Sequence, residues 1–329
     1  MANLAGVDIS TASRALTGER KVAAETVKRV MDAVATLGYA RNQAARNLRL
    51  SKTMTLGVII NLFDTPIYLG TLEGMGSTSH ECGYELMITS ARGVRSLSPL
   101  LVQRLFERRV DGLILWTLPN LGASLEPLIS RDIPVLAIGV REKGSPRIPY
   151  LNATEERPIG DAMQQLALLG HRTIVYLQVP LQLSRQRLPA LERATDRAGL
   201  HQIQQSLACN APMSELCDLL RRRLAPPVNA TAILTDHHLA QVTAALHLLD
   251  IPAPDDVSLI GFARSRWAQE TWLPTATIQT DAVELGQIVA QMMADWLGGT
   301  RPPDMTKVHV AEWVPPGSVG PARTHRLFE

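Results

Sequence analysis

The chain has 329 residues, enough for two or three domains of about 100–200 residues each and for a large buried core. Its hydrophobic content of 46% and charged content of 19% are typical of a globular protein and exclude a largely disordered or fibrous chain. The longest apolar runs, such as residues 56–60 and 113–116, are far shorter than the roughly 18–20 residues that a membrane span needs. We expect a protein that does not cross a membrane.

The start of the chain carries no long apolar stretch behind a basic segment, so no secretion signal is predicted. The three cysteines, Cys82, Cys209 and Cys217, are too few and too irregularly spaced for a disulfide framework. A reduced, cytoplasmic protein is therefore expected.

Charge is unevenly distributed along the chain, although the formal total is only +2. Residues 1–53 hold nine Lys and Arg against four Asp and Glu, a formal charge of +5, which leaves −3 on the remainder. A basic module on a weakly acidic body favours a polyanion as the partner of the first part. An ordinary solvated basic surface explains the same imbalance, so charge alone leaves both interpretations open.

The first 40 residues predict short helices. Asp8 suits the N-cap of a helix at about residues 9–16, because its carboxylate can accept the first amide hydrogens of that helix. A second helix is predicted from about residue 24 to residue 37, ahead of Gly38. Its expected apolar face consists of Val27, Val30, Met31, Val34 and Leu37. The basic and polar residues that follow, up to about 53, predict a linker.

From Thr55 onward, short apolar runs alternate with longer amphipathic stretches. Runs without alternation are typical of parallel strands that helices cover on both faces. They are residues 56–60, 112–116, 134–138, 173–177, 232–234 and 257–262. Helices are predicted at about 69–82, 99–108, 125–131, 160–169, 186–199, 214–224, 239–249 and 284–297. This order predicts a doubly wound α/β body in two lobes, with a frayed Pro-rich segment near its end at 315–321.

The strongest local pattern lies at residues 4–16, LAGVDISTASRAL. Its Ala-Gly-Val suits a tight turn between helices, and the short helix that follows exposes small or hydrogen-bonding side chains that fit a major groove. These side chains are Ile9, Ser10, Thr11, Ser13 and Arg14. The pattern indicates a helix-turn-helix, although an ordinary surface helix has a similar composition.

Further motifs continue this pattern to the end of the chain. In the first 50 residues they are the segment 2–16, Val22 with Thr26, Leu37-Gly38-Tyr39, Asn42, Ala45-Arg46 and Leu48. In the body they are RVDGLI at 109–114, IPV at 133–135, LGHR at 169–172, LTD at 234–236, VSLIGF at 257–262 and Pro274 with Thr277-Ile278. In this order they resemble the lactose-repressor (LacI/GalR) family of bacterial regulators over nearly the whole chain.

The resemblance implies DNA contacts by position. Residues that would face base edges are Ile9, Ser10 and Arg14, and residues that would donate to phosphates are Thr11, Ser13 and Thr26. Arg14 suits guanine, because its planar fork can donate to both O6 and N7. In the linker, Leu48 would wedge between base pairs in the minor groove, beside Asn42, Ala45 and Arg46. Docking of the linker on the body is the alternative role for Leu48.

The resemblance also implies an effector site in the body. Arg187 corresponds to the effector-contacting arginine and Asp236 to its acidic partner, at a strand end where open α/β sheets bind ligands. A structural ion pair between the lobes is the alternative. The further candidates are Phe63, Asp64 and Trp116, for which core packing is the alternative, and Arg264.

Departures from the family pattern concern the effector and the N-terminus. Arg264 and its neighbours stand where relatives carry aspartates, and Thr154-Glu155 replaces an Asp-Asn pair. With the PGS sequence at 316–318 this is similar to the gluconate-repressor branch, which implies a sugar acid. The chain begins inside the family's first helix, and we expect a misassigned start rather than a clipped head. Arg41 replaces a proline of the hinge.

Nothing in the sequence predicts an enzyme, a cofactor or a metal site. The adjacent His237 and His238 would point to different faces, unlike a metal pair spaced four residues apart on a helix. No Walker loop, Gly-x-Gly-x-x-Gly, Gly-x-Ser-x-Gly or Cys-x-x-Cys is present.

The expected architecture is a small all-α helix-turn-helix head at 1–40 with an incomplete first helix, a hinge at 41–53, and an effector-binding and dimerisation body at 54–329. The body would have two doubly wound parallel-sheet lobes of the periplasmic-binding-protein type. Lobe one is expected at about 54–152 and 283–312, and lobe two at about 153–282 and 313–329. The implied function is an effector-controlled repressor that binds a pseudo-palindromic operator as a homodimer. A cytoplasmic ligand-binding sensor that has lost DNA binding through its truncated head, and an α/β enzyme, are the alternatives.

Overall fold

A computed structural model of the protein describes residues 1–17, 22–38, 52–60, 66–91, 99–116, 122–139, 148–178, 182–208, 211–236, 239–262, 273–308, 310–315 and 317–328. The chain divides into two compact units, Met1–Thr53 and Met54–Glu329. The described part of the first unit is helical, and the second contains two β-sheets.

The first unit contains helices α1 (Ile9–Thr17) and α2 (Ala24–Leu37). Ahead of them, the Ala5 amide donates to the Met1 carbonyl at 3.0 Å in a helical turn. Gly6 ends this turn at φ 62°, a left-handed conformation that glycine adopts without a Cβ penalty, and so leads the chain into α1. The result is a helix, a tight turn and a second helix, as the sequence predicts.

Small residues pack the two helices together. Ala12 and Ala15 of α1 are buried against Val30 and Ala33 of α2. The predicted apolar face of α2 is only partly right, because Met31 is 51% exposed and Leu37 is 53% exposed. Alanine at position 33 lets α1 approach closely, so the buried stripe runs through residues 30 and 33.

The second unit alternates strands and helices along the chain. Its elements are β1 (Thr55–Ile60), α3 (Pro66–Glu81), β2 (Glu85–Ser90), α4 (Pro99–Glu107), β3 (Gly112–Trp116), α5 (Gly122–Ile129), β4 (Val135–Ile138), β5 (Tyr150–Ala153), α6 (Glu156–Leu168), β6 (Thr173–Gln178), α7 (Gln182–Ala198), β7 (His201–Ser206), α8 (Met213–Leu224), β8 (Ala232–Thr235), α9 (Leu239–Leu248), β9 (Ser258–Gly261), β10 (Ala276–Thr280), α10 (Ala282–Leu297), β11 (Met305–Val308) and β12 (Ala311–Val314). All eight predicted helices of the body are present, with small shifts at their ends.

The strands form two six-stranded sheets of matching topology. The first sheet has the order β11-β5-β4-β3-β1-β2 and the second β12-β10-β9-β8-β6-β7. Each sheet has an apolar cluster on both faces, so successive residues of a strand enter opposite clusters, as Val175 and Tyr176 do in β6. This confirms two α/β lobes built on doubly wound sheets. Lobe one is the first sheet with the helices packed on it, and lobe two is the second sheet with its helices.

The second sheet departs from the expected all-parallel pairing at its edge. There β12 runs antiparallel to β10, pairing Thr280 with Ala311. Residues 311 and 312 therefore belong to lobe two rather than to lobe one as predicted. An antiparallel strand at the edge of an otherwise parallel sheet is common. Here β12 enters the second sheet directly from β11 of the first.

The Pro-rich segment near the end of the chain is not frayed where the structure describes it. Ser318 is fully buried, and its hydroxyl donates to the Leu259 carbonyl at 2.6 Å while it accepts from the Ala276 amide at 2.8 Å. Nε2 of buried His171 lies 3.0 Å from the Gly320 carbonyl. The segment is thus anchored in lobe two by buried hydrogen bonds, which composition alone does not predict.

Candidate DNA-binding face and effector site

The first candidate site is the outer face of α1. Ile9 is 81% exposed, and Ser10 and Arg14 are exposed beside it. Thr11 and Ser13 are half-buried at the margin of this face. The structure therefore presents on one surface the residue types that were assigned to base edges and phosphates from the sequence.

Asp8 organises the start of this face. Its carboxylate accepts from the Thr11 amide at 2.9 Å, which confirms the predicted helix cap. It also accepts from the hydroxyls of Ser10 at 2.6 Å and Thr11 at 2.7 Å. Led by the Ser10 hydroxyl, these bonds hold the pKa of Asp8 well below its usual range. Ser10 and Thr11 already donate to Asp8, so donation to a phosphate would exchange one acceptor for another.

The remaining DNA-contact candidates are only partly described. Thr26 is half-buried in the first turn of α2. The hinge candidates lie outside the described residues; they are Asn42, Ala45, Arg46 and Leu48. Their assignment remains a prediction.

The second candidate site is a buried charged cluster around Arg187 of α7. The Arg187 guanidinium donates to both oxygens of Glu155, from Nε at 2.5 Å and from Nη2 at 2.7 Å. Nη1 donates to Oδ1 of Asp236 at 3.1 Å. The structure thus brings together Arg187 and Asp236, as expected from the sequence, and adds Glu155, which the sequence analysis treated only as a departure from the family.

Three further side chains complete this cluster. The Tyr176 hydroxyl donates to Oδ2 of Asp236 at 2.8 Å, and the Phe262 ring lies 4.3 Å from Cζ of Arg187. The Thr280 hydroxyl donates to Oε1 of Glu155 at 3.3 Å. Five of the six members of this effector cluster come from lobe two, and Glu155 directly precedes α6 of that lobe. Arg187 and Asp236 both belong to lobe two, so they do not form the ion pair between lobes that was the alternative.

Burial and charge give the effector cluster its electrostatic character. The side chains of Arg187, Glu155 and Asp236 are 8%, 11% and 0% exposed. Burial opposes the charged guanidinium, but Glu155 and Asp236 outweigh it and raise the pKa of Arg187. Burial, followed by the Asp236 carboxylate, raises the pKa of Tyr176. One guanidinium and two carboxylates carry a formal charge of −1.

The topology explains why these residues meet. In the second sheet the strand order reverses between β6 and β8, and in open α/β sheets ligands bind beyond the carboxyl ends of the strands at such a reversal. Asp236 directly follows β8, while Phe262 directly follows β9. Thr280 is the last residue of β10. The effector cluster therefore lies where this fold binds ligands.

The effector cluster is also bonded to the segments that cross between the lobes. Glu155 lies on the first crossing, between β5 and α6, and Thr280 borders the second, between β10 and α10. The Thr154 amide donates to the Val308 carbonyl at 3.0 Å, and the Asp281 amide donates to the Val310 carbonyl at 2.6 Å. The third crossing runs from β11 to β12, and Val308 and Val310 lie at it, so these hydrogen bonds join all three crossings.

Lobe one contributes an aromatic pair at the equivalent edge of its sheet. Trp116, the last residue of β3, packs edge-to-face against Tyr68 of α3 with ring centroids 4.7 Å apart. Both side chains are half-buried. Three other effector candidates, Phe63, Asp64 and Arg264, lie outside the described residues and stay predictions.

Sequence reasoning missed four members of the effector cluster. Glu155, Tyr176, Phe262 and Thr280 are separated by up to 125 residues along the chain. Phe262 and Thr280 stand at the ends of strands, which is the one sequence signal that could have found them. Among the described residues, no group of three or more His, Cys, Asp or Glu could hold a metal ion. No helix in the described part of the chain is long and apolar enough to span a membrane.

Two family models match the chain. The model for bacterial regulatory proteins of the lacI family matches residues 1–42, and that for a periplasmic binding protein-like domain matches residues 163–319. The first covers α1 and α2. The second covers the residues of the effector cluster from Tyr176 to Thr280.

The sequence is also similar to known bacterial regulators over nearly its whole length. It is 28% identical to the ribose operon repressor of Escherichia coli (strain K12) over 305 residues, covering 89% of this chain and 90% of that protein. It is 26% identical over 314 residues to the HTH-type transcriptional regulator CelR of Thermobifida fusca, covering 91% of both chains.

Solved structures have the same fold. The lac repressor dimer bound to operator and the anti-inducer ONPF superposes with a TM-score of 0.81 at 20% identity, covering 97% of both chains. The CelR–cellobiose complex superposes with a TM-score of 0.67 at 23% identity, covering 96% of this chain and 98% of that one. The chain thus carries a DNA-binding domain of the LacI family of bacterial regulatory proteins, followed by a two-lobed body of the periplasmic-binding-protein type.

Proposed function

We propose that this LacI-family protein is a repressor that binds its operator as a homodimer and is controlled by a small polyhydroxy effector bound in the body. The observation that carries the proposal is the pairing, in one chain, of an outward-facing α1 with the buried Arg187–Glu155–Asp236 cluster at a strand-order reversal. Its action on DNA places it in the cytoplasm.

The DNA-binding part of the proposal rests on the composition of the α1 face. Arg14 carries the fork that reads guanine in a major groove, and Ile9 supplies an apolar contact of the kind that suits a thymine methyl group. One such helix reads a half-site, so two copies related by a two-fold axis would read a pseudo-palindromic operator. A homodimer supplies that symmetry.

The effector part rests on the chemistry of the effector cluster. Its carboxylates have lone pairs beyond those used by Arg187, Tyr176 and Thr280, and sugar hydroxyls can donate to them. The apolar faces of a sugar ring suit an aromatic side chain such as Trp116. The neutral sugars and the gluconate-like sugar acids expected from the sequence both belong to this polyhydroxy class. Ribose and cellobiose appear in the names of similar proteins.

Coupling between effector and DNA would pass through the lobe crossings. A ligand that contacts Arg187 or Asp236 changes the bonds that hold Glu155, and Glu155 lies on the first crossing beside Thr280. A shift of one lobe against the other would then favour one arrangement of the hinge and alter operator affinity. The effector has this influence only to the extent that it binds the two lobe arrangements with different affinity.

The proposal is tested with the full chain and DNA. Selection from a random pool of duplexes is expected to enrich a two-fold symmetric sequence, with affinity that falls as salt rises. Neutral sugars and sugar acids are then titrated against the protein–duplex complex, and at least one is expected to change the dissociation constant about 5–150-fold. Enrichment of no duplex would refute the DNA-binding role. An operator affinity that no sugar or sugar acid alters would refute the effector class.

A further inference from the structure

The contact between Arg187 and Glu155 has the geometry with which an arginine binds a free carboxylate. Two parallel N–H groups, from Nε and Nη2, donate to the two oxygens of one carboxylate at 2.5 and 2.7 Å. The partner is provided by the chain itself, from the residue before α6. The Thr280 hydroxyl donates to the same carboxylate at 3.3 Å.

The rest of the guanidinium is also engaged. Nη1 donates to Asp236, so three of the five N–H groups of Arg187 bond to carboxylates. The Phe262 ring lies against the guanidinium at 4.3 Å from Cζ. An arginine 8% exposed and already neutralised by two carboxylates offers little positive potential to a second anion.

We propose that Glu155 determines the charge selectivity of the effector site, occupying the guanidinium of Arg187 so that neutral polyhydroxy ligands bind and anionic ones do not. This inference rests on the proposed function, because it concerns the ligand of the same site. It departs from the sugar acid that the sequence suggested, and assigns a role to a residue that differs from the family pattern.

The physical reason is the net charge of the effector cluster in a buried place. A ligand carboxylate would approach two fixed carboxylates, and a like charge within several ångströms is poorly screened where water is excluded. A sugar hydroxyl meets no such repulsion, because it donates a hydrogen bond to a carboxylate and accepts one from an amide or guanidinium. Such a site uses Glu155 and Asp236 as acceptors for a neutral ligand and repels an acid of similar shape.

The test compares two neighbouring glutamates that differ in burial. Glu155→Gln removes one charge from the effector cluster and keeps a carbonyl acceptor near Arg187. Glu156→Gln, the matched control, removes the same charge from a side chain 64% exposed that pairs with Arg193. The full chain and both variants are titrated with potassium acetate, potassium D-gluconate and D-glucose, with potassium chloride at equal ionic strength as the reference. Binding is measured by thermal shift and calorimetry.

Wild type and Glu156→Gln are expected to show no response to acetate or gluconate beyond that to chloride. Glu155→Gln is expected to bind at least one of the two anions about tenfold or more tightly, since a removed like charge is worth at least one such factor in a buried site. Glu155→Asp keeps the charge and is expected to gain no binding of either anion. Circular dichroism checks that each variant is folded.

Two results would overturn the inference. One is a folded Glu155→Gln that binds neither anion better than wild type does. The other is a wild-type protein that binds gluconate above the chloride reference, which decides the matter even where the variant fails to fold. Both concern anion binding by the body alone, so they are distinct from a failure of the proposed function, which appears in the operator titrations.

Discussion

In the DNA-binding unit Ser10 and Arg14 of α1 are exposed, whereas in the body the charged side chains around Arg187 are buried and bond to one another. Arg14 and Ile9 stand exposed on one face of a short helix. Arg187 is 8% exposed, with both carboxylate partners supplied from other elements. Arginine is thus exposed at position 14, whereas at position 187 it is buried between two carboxylates.

The difference separates recognition from stability. An exposed side chain can usually be removed with little effect on folding, since surface substitutions change stability within about 0.5 kcal/mol. Removal of a buried charge leaves its partners buried without compensation, which costs several kcal/mol. Substitutions in the two regions are therefore expected to fail in different assays.

The largest effect is expected for Arg187→Ala. It leaves Glu155 and Asp236 buried without their counter-ion, and we expect a loss of about 3–5 kcal/mol of unfolding free energy in denaturant titrations. Arg193→Ala on the same helix is the control, because its ion pair with Glu156 is more than half exposed and is worth about 0–1 kcal/mol. Equal losses of unfolding free energy in the two variants would show that the burial of Arg187 does not make its ion pairs more important for stability than the exposed pair of Arg193.

Arg14→Ala is expected to impair recognition alone. Loss of one bidentate base contact costs about 1–3 kcal/mol of discrimination between the selected duplex and a mismatched one, with an unchanged unfolding midpoint. Arg157→Ala removes the same residue type from the body, where the side chain is 89% exposed, and should leave both quantities unchanged. A fall in folding stability without a change of sequence preference would remove Arg14 from the DNA-binding face.

Buried His171 is expected to make the stability of the body depend on pH, which an exposed histidine would not do. Burial, partly offset by the Gly320 carbonyl, lowers the pKa of His171 below 6.5. The unfolded chain therefore binds more protons than the folded one in the window between the lowered pKa and 6.5. Stability from this group is present above pH 6.5 and is lost as pH falls through that window, at no more than about 1.4 kcal/mol per pH unit.

The measurement is the unfolding free energy of the body between pH 5 and 8, about the range where a histidine titrates. His171→Gln should flatten this dependence, while His80→Gln, whose side chain is 82% exposed in lobe one, should not. A wild-type profile that the His171 substitution leaves unaltered would contradict the assignment.

The smallest effect is expected at Asp8. Asp8→Ala removes the acceptor of the Thr11 amide, so hydrogen exchange in the first turn of α1 should accelerate while the body is unaffected. Asp8→Asn keeps a side-chain acceptor and should retain slow exchange, because asparagine caps helices about as well as aspartate. Fast exchange in both variants would mean that the charge of Asp8, rather than the cap, holds the helix start.

The same contrast appears in how much of the fold the sequence predicts. The six predicted strands are β1, β3, β4, β6, β8 and β9; they occupy inner positions of the two sheets and are mainly apolar. The unpredicted strands lie at or next to the sheet edges. One of them is the edge strand β7, whose sequence HQIQQS is mostly polar. Edge strands receive less cover from helices, so their side chains carry no continuous apolar signal and only pairing with a neighbour defines them.

The candidate sites divide in a similar way. The α1 face could be predicted because a helix turns sequence spacing directly into a surface, so residues 9, 10 and 14 fall on one side. The effector cluster could be predicted only at Arg187 and Asp236, which the family resemblance identifies. In the sequence Glu155 stands out only as a departure from the family pattern, whereas the fold makes it the bidentate partner of that arginine.

The sequence by itself determined that this chain has a basic helix-turn-helix unit of the LacI type and a two-lobed α/β body, since each follows from local periodicity or from motifs in a fixed order. Tertiary structure alone decided which carboxylates meet Arg187, how the Pro-rich segment is anchored and how the three lobe crossings are joined. These features depend on contacts between residues far apart in the chain, and such contacts exist only once the strand order of the second sheet brings its carboxyl ends together.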